Sequence, residues 1–107
     1  MDIQQHAKLL SLLQDEFENK WATITFTQWD TDQEDEEEET QFTGKLVGFQ
    51  LTDNEFAEKD LLLKFTDKDD EALEILMEIP GEEVDLATFA EGRLAIFGTE
   101  AEVVLEK

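Results

Sequence analysis

The sequence predicts an α+β domain, mostly β: an N-terminal amphipathic helix followed by a five- to six-stranded, strongly bent antiparallel sheet or small barrel. Three observations carry that prediction. Apolar residues recur every three or four positions up to Trp21 and every second position after it, the change of period that separates helix from strand. Glycines interrupt the alternating stretches, and glycine inside a strand marks a bend or bulge. Leu, Ile, Val and Phe make up 31 of 107 residues, above the roughly 20% below which a highly charged chain stays disordered.

The helix is expected over residues 2–20. Ile3, Ala7, Leu10, Leu13, Phe17 and Trp21 form one stripe, Leu9 and Leu12 widen it, and such a broad stripe suits packing on a sheet. Asp2 is the expected cap, with Gln5 three residues on as in a capping box. In "WATITFTQW" Ala22, Ile24 and Phe26 alternate with Thr23, Thr25 and Thr27, which predicts a strand with one wet face. "QFTGKLVGFQLT" is a second strand, bent at Gly44 and Gly48, and "DLLLKFT" a third, through Leu61, Leu63 and Phe65.

"EALEILMEIPG" fits two templates: Leu73, Ile75, Met77 and Ile79 alternate as in a strand, while Ala72, Leu76 and Ile79 fit a helix. Pro80 and Gly81 end the stretch within strand length, so a strand is predicted. "VDLATFAEG" predicts a short helical turn, with Asp85 as cap and Gly92 beyond its end. "RLAIFGTEAEVVLE" predicts a hairpin turning near Gly98 and Thr99, with Ala101, Val103 and Leu105 inward and Glu100, Glu102 and Glu106 outward. One proline and the lack of a glycine- or serine-rich linker leave residues 1–107 as a single domain.

This order resembles the Sm and Sm-like family of small β-barrels. "TGKLVGF", Thr43 to Phe49, is similar to the family's first motif, and "LAIFGTEAEVV", Leu94 to Val104, to its second. The resemblance implies a helix followed by bent strands and assembly through strand edges. It does not extend to the family's RNA-holding positions. Phe97 stands where the pattern has arginine, and Gln50 where it has aspartate. An Sm-like oligomerisation or scaffold protein without RNA binding is the alternative reading of the chain.

Charge bounds the partners. The chain carries 29 acidic and 8 basic residues, a formal net charge of −21. Duplex nucleic acid bears one negative charge per about 1.7 Å and is held by lysine and arginine, so direct nucleic-acid binding is not expected, nor is docking on anionic lipid. Such a field favours and accelerates encounter with basic partners. The start "MDIQQHAK" lacks the basic residues of a secretory signal, and no apolar run approaches the roughly 20 residues that span a bilayer. A cytoplasmic protein is expected, with its oligomeric state left open.

The residue inventory argues against an enzyme. Cysteine and tyrosine are absent, and the single serine and single histidine, Ser11 and His6, lie five positions apart on the expected helix, off a common face. "DKDDEALEILME", Asp67 to Glu78, places acids at positions 1, 3, 5 and 12 of a calcium loop, but Ala72 stands where that turn needs glycine. No cofactor and no specific metal site are expected.

The remaining candidate is the acidic run "DTDQEDEEEET" at 30–40. Like charges about 7 Å apart repel by roughly 0.6 kcal/mol even in water, so Asp30, Asp32, Glu34, Asp35, Glu36, Glu37, Glu38 and Glu39 are expected in a solvent-exposed loop. Like-charge blocks of this kind often serve as interaction arms. With Glu100, Glu102 and Glu106 outward on a strand face, where alternate residues stand about 6.6 Å apart, they would offer carboxylates in the manner of phosphates. Trp29, beside the run, and Phe56 are candidate apolar anchors. The function expected is a non-enzymatic acidic module that binds a basic protein surface, nucleic-acid-binding proteins included, where it would act as a nucleic-acid mimic.

Overall fold

The computed structural model describes residues 1–29, 37–54 and 58–107, with backbone alone at Trp29 and Glu37. The chain is mostly β. Its elements in order are β1 (Asp2–Ile3), α1 (His6–Leu12), a π-helical turn (Leu13–Phe17), β2 (Trp21–Trp29), β3 (Glu37–Asp53), β4 (Glu58–Thr66), β5 (Ala72–Pro80), β6 (Ala87–Ala90), β7 (Arg93–Phe97) and β8 (Ala101–Glu106). The eight strands form one antiparallel sheet in the order β1-β6-β7-β8-β2-β3-β4-β5. This exceeds the five or six expected, and the sheet is not closed into a barrel, because its end strands β1 and β5 do not pair.

The inward rows follow the alternation read in the sequence. Ala22 and Ile24 on β2, Leu61, Leu63 and Phe65 on β4, Ile75, Met77 and Ile79 on β5, and Ala101, Val103 and Leu105 on β8 are all buried in one cluster. Every buried residue described is apolar. Phe42 and Phe65 meet edge to face with centroids 5.5 Å apart, a preferred aromatic geometry. The register of β3 against β4 slips between Leu46 and Gly48, which is the bulge that the strand glycines announced.

Three elements differ from expectation. Regular helix covers only His6–Leu12 before the π-turn, whose Glu18 N–H donates to Leu13 O at 2.9 Å. Asp2 does not cap it: Asp2 pairs with Thr88 in β1, and Gln5 holds the N-cap position without a side-chain bond. The buried face is Leu9, Leu12, Leu13 and Phe17, while Ala7 is exposed. Ile3 is drawn out of the helical stripe because β6 has a free edge for it to pair with, and Leu86 N–H donates to Ile3 O at 2.9 Å.

The helical turn expected at 85–92 is instead strand β6. Its Ala87 and the preceding Leu86 are buried, and Ala90 pairs with Arg93. Glu91 and Gly92 between them have φ of 52° and 78°, the two positive values that a tight hairpin turn requires. A glycine after a short apolar pattern serves a helix end and such a turn equally well. The acidic loop expected over 30–40 loses its last four residues to β3, where residues 37–40 pair with residues 26–29. Residues 30–36, and with them Asp30, Asp32, Glu34, Asp35 and Glu36, lie outside the described residues, as does Phe56.

Candidate functional site

The feature on which a site can be built is the free edge of β5. In an antiparallel ladder the N–H and C=O of one residue point the same way, and successive residues alternate between partner and free side. Glu78 O accepts from Thr99 N–H at 3.0 Å, and Pro80 O accepts from the His6 Nε2 at 2.9 Å. Both carbonyls therefore point away from β4. On β4, Glu58 O accepts from Asn54 N–H at 3.0 Å, on the β3 side, which fixes the same alternation from the other strand. It follows that Glu74 and Leu76 also direct N–H and C=O away from β4. Pro80 sits where its missing N–H removes no ladder bond, the place for proline on an edge strand.

At one end this edge is covered. The turn between β7 and β8 lies against it, because Gly98 has no side chain: a Cβ there would stand 2.5 Å from Met77 Cε, 2.7 Å from Glu78 O and 2.8 Å from Ala101 O. Toward Leu73 the edge, still paired with β4, faces β2 and β3 across a gap. A cavity of about 340 Å³ opens there, with Phe26, Gln28, Thr40 and Phe42 on one side and residues 73–76 of β5 on the other. A second recess of about 210 Å³ continues it past Gln28 and Leu76 to Glu78, Thr99 and Glu100. Leu76 is 61% exposed, so an apolar side chain stands in water beside unpaired backbone.

Carboxylates crowd the covered end. Asp60 and Glu78 are directly paired across β4 and β5, with Glu58 one position along that face and Glu100 on the adjoining turn. Glu78 holds its proton more tightly than an ordinary glutamate. A hydrogen bond to Glu58 is the main cause, followed by desolvation and by the charges of Glu58, Asp60 and Glu100. Glu58 Oε2 is shut from water and has no hydrogen-bond partner among the described residues. A protonated Glu78 can donate its hydroxyl to the Glu58 carboxylate. No cation among the described residues contributes to this balance. Among the described residues no group of three or more His, Cys, Asp or Glu is arranged to hold a metal ion.

The acids singled out from the sequence are distributed over two places. Glu102 and Glu106 lie on the outer face of β8, and Glu39 lies beyond Thr27 in the same row as Glu102. Val104 separates Glu102 from Glu106, whose carboxylate lies 3.5 Å from Arg93 Nε. Glu38 and Glu39 are exposed at the start of β3. Glu100 leaves the row and joins Glu78. For Trp29 and Glu37 the backbone pairs and nothing further is described. The calcium-loop stretch divides into a turn and a strand. Asp67 Oδ1 accepts from Asp69 N–H at 2.8 Å and Glu71 N–H at 3.0 Å, and Ala72–Pro80 is β5.

Sequence reasoning missed Glu58, Asp60, Glu78 and Leu76. The outward direction of Asp60, Glu78 and Leu76 was legible, since each alternates with a buried neighbour. Their convergence depends on the β4–β5 register and on β5 being a sheet edge, and neither has a local signal. His6 is half-buried and ties α1 to the end of β5.

No protein-family model, no curated protein and no solved structure matches the chain. Among the described residues no helix is long and apolar enough to cross a membrane.

Proposed function

We propose that the protein is a non-enzymatic acidic binding module that recognises a basic protein surface. The observation that carries the reading is the group Glu58, Asp60, Glu78 and Glu100, where carboxylates converge across β4, β5 and the adjoining turn and together raise the pKa of Glu78 above its ordinary value. An incoming lysine or arginine would relieve that repulsion. Charge complementarity of this kind sets partner choice and encounter rate more than raw affinity.

The sharper form of the reading, imitation of a run of phosphates, draws less support from the outer face of β8, where Val104 breaks the acidic row and Arg93 engages Glu106. A pull-down with mass spectrometry at low and high salt tests the proposal. Captured proteins should be predominantly basic, should be released by salt, and should be lost with the double variant Glu78→Gln, Glu100→Gln. Capture of neutral partners that resist salt would sink it.

A further inference from the structure

We infer that the gap beside β5 is a docking slot for an extended, basic segment of another protein, which adds to the sheet as a further strand against Glu74 and Leu76. The inference rests on the reading of the chain as an acidic binding module and specifies how a partner is held. Strand addition draws its affinity from main-chain hydrogen bonds and its specificity from pockets for alternate side chains, and the slot provides both. Glu74 and Leu76 direct unpaired N–H and C=O groups into it. Phe26, Phe42 and Leu73 line its inward side around the 340 Å³ cavity.

Successive residues of an added strand point to opposite faces. Those facing inward would meet Phe26 and Phe42 and must be apolar. Those facing outward would run beside Leu76 toward Glu78 and Glu100, with Glu58 and Asp60 behind them, and are best basic. Lys64, paired with Glu74 across β4 and β5, places the cationic demand at the Glu78 end of the slot. The preferred occupant therefore alternates apolar and basic residues.

A second copy of this chain fits less well. Pairing β5 with another β5 would bring Glu74 and Glu78 of the two copies together, and like charges facing one another across strands are destabilising. The opposite sheet edge, β1, spans only Asp2–Ile3, too short to offer a matching strand.

A capped heptapeptide, Lys-Val-Lys-Val-Lys-Val-Lys, serves as the probe, beside one of equal charge with glycine for valine and one N-methylated on alternate amides. The parent should bind at low salt and slow hydrogen exchange at the Glu74 and Leu76 amides. N-methylation, which removes two or more main-chain bonds, should weaken binding about tenfold or more. Leu76→Lys, at a side chain already mostly in water, should abolish it while leaving the fold intact. If all three peptides bind alike, strand addition is overturned and the acidic-module reading stands. If none binds, both fall. A dimer that Leu76→Lys dissolves would assign the slot to a second copy and overturn the proposal.

Discussion

Replacing Gly98 with alanine probes the contact that seats the β7–β8 turn on β5. The new Cβ would lie 2.5 Å from Met77 Cε, 2.7 Å from Glu78 O and 2.8 Å from Ala101 O, whereas carbon contacts settle near 3.5–4.0 Å. Met77 can swing its methyl aside, but the two carbonyls belong to the backbone of β5 and of the turn itself. One of them must retreat by several tenths of an ångström or more, and the Thr99 N–H to Glu78 O bond of 3.0 Å opens with it. Overpacking costs about 1–3 kcal/mol and the lost bond about 0.5–1.5 kcal/mol, so Gly98→Ala should lose about 2–4 kcal/mol in urea unfolding with an unchanged m-value. Amide exchange at Thr99 should accelerate in parallel. Gly48→Ala is the control, because its Cβ would meet only the Lys64 side chain, at 3.8 and 4.0 Å, and should shift stability by less than about 1 kcal/mol. If Gly98→Ala were as stable as the control, the turn would not be packed on β5 and the covered end of the edge would be misplaced.

Three further outcomes follow from the same structure. Glu78→Gln should raise the melting temperature at neutral pH: a folded-state pKa lifted above the ordinary value gives stability that is complete at low pH and lost as pH rises through that lifted value, so the variant's advantage should fade below roughly pH 4. Glu16 and Asp53, held low by their hydrogen bonds and ion pairs with Lys107 and Lys59, act in the opposite sense and lose their contribution as pH falls; circular dichroism melts from pH 3 to 8 (about the span over which carboxylates titrate) read both. Phe65→Ala removes a buried ring packed edge to face on Phe42 and should cost about 3–5 kcal/mol in denaturant. With a formal charge of −21, the wild-type melting temperature should climb as salt shortens the screening length from about 30 Å at 0.01 M to about 8 Å at 0.15 M; a flat response would show that self-repulsion does not limit stability.

The sheet was legible wherever one face is buried, because a period of two is then enforced by the core. Leu61, Leu63 and Phe65, or Ile75, Met77 and Ile79, could not be displaced by one position without sending the whole row into water. The N-terminal segment was harder. Ile3 fits the helical stripe as well as it fits β1, and only the distant edge of β6, more than eighty residues along the chain, decides between them. Gly92 likewise carries the same local signal for a helix end and for a tight hairpin turn, and the partner strand β7 selects the second. Of the candidate site, the outward direction of Glu100 and Glu78 could be read from alternation. That Glu100 faces Glu78 and not Glu102 follows from the close seat of Gly98 on β5, a tertiary contact with no trace in the spacing of acids.

The measurement that bears most directly on the account is residue-resolved amide exchange along β5 in the free protein. An alternating pattern is expected, with slow exchange at Ile75, Met77 and Ile79, which bond to β4, and fast exchange at Glu74 and Leu76, which face the slot. Equal protection of both sets would mean that the edge is already occupied or folded away, and the docking surface proposed for a basic strand would not exist.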